Sequence, residues 1–392
     1  MHALEGLLLA LAAASIALYL TLVISFLLAM RGRKPARPPS ARPRVSILKP
    51  LAGLDDALEE NLSSFAALAY PDYEILLGVA SVEDCAYPVA RKFAERVGHD
   101  KVRLIVTDPG AAANPKVAQL ISLERAATGE VIVISDSNVR VTPGYLDALV
   151  SELSLPRVGA VSNIVAGTGE RTLGAALENL QLCAVIAPGI VASATIMGRI
   201  ITLGKSMAMW REPLRRIGGF SRVAHVLSDD DILGRAFEHA GYEVRVSRWP
   251  VENRNVNCSL ERTLERHTRW AKIRRVVAPM EFAFEPLLSP VAITTLACLA
   301  SPTKLILCAY LSALLLQTTC AAITARALRG TLRWYWAPLE IVRAYVLFLC
   351  WLRACASRRV NWRGHDIELG RDSAIMSVRP GAVRCARATA RA

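Results

Sequence analysis

The sequence predicts an α/β domain on a mostly parallel sheet, flanked by apolar segments, and three observations carry that prediction. Between residues 45 and 277 short apolar runs alternate with longer amphipathic ones. The hydrophobic excess, 53% of 392 residues, gathers instead at residues 7–30 and again between 287 and 356. Acidic side chains stand where several of the short apolar runs stop. Strands alternating with helical stretches of roughly 10–15 residues are the signature of βαβ units.

Taken in order, residues 7–30 carry no charge. About 24 residues make a helix of roughly 36 Å, enough to cross a ~30 Å hydrocarbon core. A cleaved signal peptide is the alternative, but the run is longer than a typical apolar signal region and lacks a positive stretch before it. Residues 1–30 are therefore expected to form a transmembrane anchor. Residues 31–44, RGRKPARPPSARPR, follow as a basic linker that its prolines keep extended. Lys and Arg beside a spanning helix mark the cytoplasmic side. The net charge of +13 draws on this stretch, whose ordinary role is contact with anionic lipid. Without a helix-turn-helix, zinc-finger or RNA-binding pattern, nucleic acid is not an expected partner. The nine cysteines are scattered with no CxxC pair, which argues against a zinc site and a disulfide framework.

Strands are expected at 45–48, 73–79, 102–106, 130–135, 159–163 and 242–246. Helices are expected at 55–68, 87–97, 115–127, 143–153, 171–186, 230–240 and 259–277. Open parallel sheets bind ligands beyond the carboxyl ends of their strands. Asp136 stands at such an end, in GEVIVISDSNVRVTP. Two readings of it are open on this stretch alone: a ligand-facing carboxylate, or a cap for the next turn.

Further acids repeat the pattern. Glu83 and Asp84 follow the strand 73–79, and Asp229, Asp230 and Asp231 open a helix in LSDDDILGR. A helix N-terminus accounts for one of those three. Acids crowded in a cleft repel one another unless a cation or a proton intervenes; a divalent ion with a diphosphate, or a proton drawn from a substrate, would relieve them. Basic groups complement them: Lys49 in SILKPLAG with Gly53 opening the loop, Lys116 in ANPKV, and Arg266 and Arg269 in ERHTRW with Trp270 beside them. Each alone is more often a solvated surface charge. An i,i+3 arginine pair beside tryptophan is less easily dismissed, since guanidinium clamps phosphate oxygens and tryptophan stacks or sits at a membrane interface.

The order KPLAG, VED, NPK, ISDSN, GKSMAMWR, SDDD and RHTRW resembles the ceramide glucosyltransferase family of membrane glycosyltransferases, which includes bacterial relatives linked to hopanoid-lipid glycosylation. The resemblance covers residues 44–280 and extends loosely to VNWRG at 360–364. It implies a GT-A nucleotide-sugar-binding (Rossmann-like) domain with an N-terminal transmembrane anchor and C-terminal membrane helices. It places Asp84 against uracil and ribose, Asp136 beside the diphosphate and its Mg²⁺ or Mn²⁺, and Asp230 as the base. Arg266, Arg269 and Trp270 match the (Q/R)xxRW element, and Lys49, Pro50, Gly53, Asn114 and Lys116 fall in nucleotide-side motifs. Two positions depart from the family pattern: Asn138 stands where the common DxD motif has a second Asp, and Asp229 precedes the base where Glu is usual. The second departure leaves Asp231 as the alternative base.

The implied reaction is one inverting displacement on a UDP-sugar by the hydroxyl of a membrane lipid, ceramide first and a hopanoid as alternative. A processive polysaccharide synthase shares these motifs but generally carries more spanning helices; a non-catalytic module that binds nucleotide sugars is the third reading. The apolar runs 288–300 and 305–328 suggest a hairpin into the bilayer. Residues 338–356 carry Glu340, Arg343 and Arg353 and are expected to lie partly inserted or at the interface, because charges at membrane depth are costly and face protein or water. A full crossing there would put SRRVNWRGHD opposite the basic linker, against the positive-inside rule. The expected division is a 1–30 anchor, a 31–44 linker, a 45–280 catalytic domain, 281–357 membrane-associated helices and a 358–392 cytoplasmic tail. The catalytic part is expected on the cytoplasmic face of a bacterial inner membrane.

Overall fold

Eight strands share one sheet in the computed structural model, which describes residues 2–32, 39, 41–331, 333–362 and 365–379. Residues 33–38 and 40 of the expected linker, and 363–364 and 380–392 of the expected tail, lie outside the described residues. The strands are β1 (Val45–Pro50), β2 (Tyr73–Val79), β3 (Val102–Val106), β4 (Val131–Ser135), β5 (Val139–Arg140), β6 (Val158–Thr168), β7 (Ser206–Trp210) and β8 (Glu243–Arg254), in the order β3-β2-β1-β4-β7-β6-β8-β5. Pairings β1–β2, β2–β3 and β1–β4 are parallel, as the βαβ alternation predicts. Beyond β4 antiparallel pairs enter: β7 lies antiparallel to β4 and to β6, and β5 is antiparallel to β8. The sheet is mixed because β7, absent from the sequence-based list, is inserted next to β4. Its residues, SMAMW, include Met and Ala, good helix formers, and only the partners on either side make them a strand.

Residues of β1, β2 and β4 are buried without exception, as expected of parallel strands covered on both faces. Helix Pro115–Ala126 covers one face with Val117, Leu120, Ile121 and Leu123, which pack with Leu48, Leu76, Ile132 and Met209. Burying each such side chain stabilises by ~1.5–3 kcal/mol.

The chain forms two compact units that do not follow linear boundaries. One comprises Lys34–Val165, Ile200–Arg254 and Trp362–Ala392 and holds the sheet; the other comprises Met1–Arg33, Ala166–Arg199 and Asn255–Asn361. The expected 45–280 domain is therefore split in the observed grouping, with 166–199 and 255–280 in the helical unit, and most of the expected tail groups with the sheet. Residues expected as a sheet-flanking helix at 171–186 begin an apolar helical stretch, Leu173–Met197, which passes through two π-helical turns and belongs to the second unit. Part of the expected tail folds as a hairpin, His365–Leu369 with Ile375–Arg379, in the sheet unit.

In the helical unit, His2–Arg31 is apolar on all sides, with Ala12, Ser15, Tyr19, Leu22, Val23, Phe26 and Ala29 buried and Leu4, Leu7, Leu18 and Leu28 exposed. A helix apolar all round belongs in a core or a membrane. Thr303 donates to Glu5 (2.6 Å), and Tyr19 reaches the Gln317 carbonyl (3.5 Å) fourteen residues further along both helices, so His2–Arg31 and Lys304–Arg329 run parallel. Among the described residues three helices are long and apolar enough to cross a membrane, His2–Arg31, Leu173–Met197 and Lys304–Arg329; a fourth counts if Pro279–Leu288 and Pro290–Ala300, bent by 74°, act as one span. Trp336–Ala356 is not one of them. Its Glu340 and Arg343 are buried and paired, and Gln317 Nε2 donates to Glu340 Oε1 (2.7 Å) while Arg343 bonds Gln181.

Candidate functional site

The loops after β1 and β2 are tied to each other. Gly53 turns with φ +67, a conformation that side chains resist, and its N–H donates to Asp84 Oδ1 at 2.8 Å. The same oxygen accepts the Ala86 N–H (2.8 Å). Gln119, from the helix above, exchanges two hydrogen bonds with the Leu51 backbone (3.0 and 2.9 Å), which fixes the chain just after Pro50. Lys49, next to last in β1, is fully buried, its Nζ donating to the Asp136 carbonyl (2.9 Å) and Ser135 Oγ (3.2 Å) over the ring of Phe65. Burial pulls its pKa down to about 7, with Asp136 opposing and Lys205 adding.

Asp136 is where the sheet's chemistry gathers. Its Oδ1 lies 3.2 Å from Lys116 Nζ and its Oδ2 3.1 Å from Lys205 Nζ. Lys116 also stands 3.6 Å from Asp229 and donates to the Gly204 carbonyl (3.3 Å). The cation expected among these acids is thus, in part, a lysine ammonium. Burial alone would raise the Asp136 carboxyl, but Lys116 and Lys205 outweigh it and hold it well below the usual range. Lys116 is correspondingly raised: burial works against its charge and Asp136, Asp229 and Asp230 overcome it. Asp229 is pushed up to about 6 by burial, with Lys116 opposing and Asp230 and Asp136 adding.

The three acids of SDDD have different surroundings. Asn114 caps Pro115–Ala126 through Lys116 N and Val117 N, and its amide reaches Val226 O (2.9 Å) and Asp229 (3.5 Å). Asp231 is buried against Arg235 (2.7 Å). Asp230 accepts the Gly204 N–H at 2.7 Å and the Asp231 N–H at 2.9 Å, and among the described residues it forms no ion pair. Ser373 of the C-terminal hairpin braces this loop, accepting the Ser228 N–H (3.0 Å) and the Leu227 N–H (3.0 Å) from a left-handed backbone (φ +59). Gly204 leaves room for the lysine: a Cβ there would lie 2.7 Å from Lys116 Nζ and 3.2 Å from Asp230 Oδ2, so the ammonium would have to shift.

Lys205, Gly204 and Ser373 were missed as site residues in the sequence. Lys205 had a signal, since it sits in GKSMAMWR, but without β7 next to β4 nothing aims it at Asp136.

For a divalent ion the donor set is thin. Among the described residues no three His, Cys, Asp or Glu side chains converge, and Asn138 Oδ1 accepts from Lys205 Nζ at 2.9 Å. Asp136, a quarter exposed at its side chain, still fits the way Mg²⁺ is commonly held, by one or two carboxylates plus substrate phosphates and water.

Arg266, Arg269 and Trp270 lie on Leu260–Val277 in the helical unit. Arg266 pairs with the buried Glu178 and reaches Asn255 Oδ1 (3.4 Å). His267, between the arginines, is buried edge-on to Trp270, and burial, then the charge of Arg266, lowers its pKa to about 3, so it is neutral. Arg266 thus has a structural partner in Glu178 besides the phosphate-clamping role its spacing suggested.

Comparison with known proteins agrees with this architecture. The chain is 28% identical over 249 residues to ceramide glucosyltransferase 3 of Caenorhabditis elegans, covering 63% of this chain and 54% of that protein. It is 27% identical over 272 residues to ceramide glucosyltransferase 1 of the same organism, covering 69% and 58%. The chain thus spans a little over half the length of the curated relatives it matches. Among solved structures, a mannosyltransferase from Pyrobaculum calidifontis, in complex with GDP-Man and Mn²⁺, superposes with a TM-score of 0.52 at 22% identity, over 90% of this chain and 98% of that one. That likeness shows the fold, a GT-A-like α/β architecture with a mixed Rossmann-like sheet and apolar helices. Residues 7–375 match Glycosyl transferase family 21, and the chain belongs to that family.

Proposed function

We propose that this protein transfers a hexose from a UDP-sugar to the hydroxyl of a membrane lipid with inversion, with ceramide as the acceptor class and a hopanoid as the alternative. One observation carries the reading most: Asp136, at the carboxyl end of β4, shares Lys116 with Asp229, the residue before Asp230. A diphosphate-side carboxylate and the first acid of the SDDD run thus stand on one cation, and the charge of Asp230 also favours that ammonium.

Asp230 is the base in this reading. Gly204 and Asp231 N–H groups orient its two oxygens without supplying a formal counter-charge, so it can accept the hydroxyl proton as attack proceeds, worth ~10²–10⁴ in rate. Asp231 is held by Arg235 and fits a structural role. Lys116 and Lys205 meet the charge that grows on the departing diphosphate, the electrostatic part of the catalysis. A Mg²⁺ or Mn²⁺ ion beside Asp136 would add Lewis-acid neutralisation of the same oxygens. Asp84, with Lys49, Pro50, Gly53 and Asn114, shapes the nucleotide side. Arg266, Arg269 and Trp270 serve the same reaction by family resemblance.

A lipid acceptor is supported within the helical unit, where a cavity of about 500 Å³ is walled by Leu173, Trp334, Tyr335, Pro338 and Val342 with Glu170 at its edge. Trp334 is exposed there, as interfacial aromatics are. Arg31 and Arg329 end parallel helices on one side, the arrangement expected at a cytoplasmic face of a multi-pass protein of the inner membrane. The test is to incubate membranes carrying the protein with UDP-glucose, UDP-galactose or UDP-N-acetylglucosamine and with ceramide or hopanoid acceptors, followed by mass spectrometry. A single glycosyl unit on one lipid is expected. Polymer, or no lipid product from any pair, refutes the proposal.

A further inference from the structure

We propose that Lys205 is the counter-ion a divalent metal has to displace from Asp136, so that metal enters together with the donor's diphosphate and not ahead of it. The inference rests on the reading of Asp136 as the diphosphate-side carboxylate. Both oxygens of that carboxylate are engaged, Oδ1 by Lys116 at 3.2 Å and Oδ2 by Lys205 at 3.1 Å. Lys205 Nζ also bonds Asn138 Oδ1 at 2.9 Å, so one ammonium spans both polar side chains of the D-S-N turn that aim at it. Its backbone has little freedom to retreat. The Lys205 carbonyl accepts the Asp136 N–H (3.2 Å), and the next residue, Ser206, is paired with Ser135 across β7 and β4.

With Lys205 on one oxygen and Lys116, shared with Asp229, on the other, neither oxygen of Asp136 is open to an incoming dication. A diphosphate changes that in two ways: its oxygens draw the ammonium groups off Asp136, and they supply ligands the protein lacks for an ion that favours about six oxygens. Metal and nucleotide should then bind as a unit. The sequence departure at Asn138 fits this arrangement, because a second Asp would restore the negative charge that Lys205 now balances against one.

The experiment titrates Mn²⁺ into the purified full chain in detergent and reads free Mn²⁺ by electron paramagnetic resonance, with and without UDP. Wild type and Lys205→Arg should take up little Mn²⁺ until UDP is added. Lys205→Met should bind Mn²⁺ alone at least ~10-fold more tightly than wild type, about the loss of one hydrogen bond to a charged group. Thermal unfolding checks that the variant is folded, and Lys205→Gln supplies a second neutral side chain if Lys205→Met is not. Equal affinity of wild type and the neutral variants for Mn²⁺ alone, tight or undetectable, overturns the proposal, as does an arginine variant that behaves like methionine. Failure of every form to bind UDP would instead sink the donor reading, while the Mn²⁺-alone comparison still decides the role of Lys205.

Discussion

Replacing Lys116 with Met tests the charge balance of the site through stability, independently of any substrate. The side chain is 18% exposed and faces Asp136 and Asp229, whose side chains are 25% and 11% exposed. Removing one partner of a fully buried pair costs ~3–5 kcal/mol; partial exposure here lowers that to about 2–4 kcal/mol. For a chain of this size that is a fall in Tm of roughly 2–5 °C at neutral pH. The pH dependence has a definite sign. In the wild type, Asp136 is held below its ordinary value, so its contribution is present above ~3.9 and lost as pH falls through the folded value. Asp229, raised to about 6, acts oppositely: its contribution is present below ~3.9 and lost as pH rises from about 4 to 6. Without Lys116, burial and mutual repulsion raise both acids, so the variant should lose stability as pH rises over that window and beyond. Tryptophan-fluorescence melting in detergent at pH 5 and pH 8 should show the larger deficit at pH 8. An unchanged Tm, or a larger deficit at pH 5, refutes the reasoning.

Asp230→Asn should retain UDP binding, measured by calorimetry, and lose transfer by at least ~10²-fold, whereas Asp231→Asn, by loosening the Arg235 pair, should chiefly lower Tm; the reverse pattern makes Asp231 the base. Gly204→Ala places a methyl 2.7 Å from Lys116 Nζ. That atom ends a flexible chain, so Tm should move by less than ~1 kcal/mol-equivalent while UDP affinity falls several-fold; unchanged affinity separates Lys116 from the donor. Arg266→Met strands Glu178, 1% exposed at its side chain, and should cost ~3 kcal/mol, much of it recovered in Arg266→Met/Glu178→Gln; full stability of the single variant leaves Arg266 a purely functional role.

How much of this was legible beforehand depends on the range of the interaction involved. The alternation of apolar and amphipathic runs is local, and it located β1 to β4 and the helices between them, because a strand buried on both faces needs a continuous apolar run. Local pattern likewise drew attention to Asp136 and to the acids 229–231, each beside a predicted terminus, whereas Asn114 and the choice of Asp230 came from the family resemblance. Helix 171–186, expected within 45–280, groups with the apolar helices; amphipathic and apolar helices share one period, and the chain's later course decides which partner buries the helix.

The sequence by itself determined the family, the strand ends that carry the acids and the apolar helices at the flanks. Only the tertiary structure decided what stands opposite those acids. β7 became a strand through its neighbours, against its own helix-forming residues, and in doing so set Lys205 against Asp136 and the Gly204 N–H against Asp230. The hairpin at 365–379 likewise reaches SDDD across more than 130 positions of chain (228 to 373). Contacts of that span leave no periodicity to read, because the energy that selects them belongs to burial and charge pairing between segments and not to the conformational preference of either one.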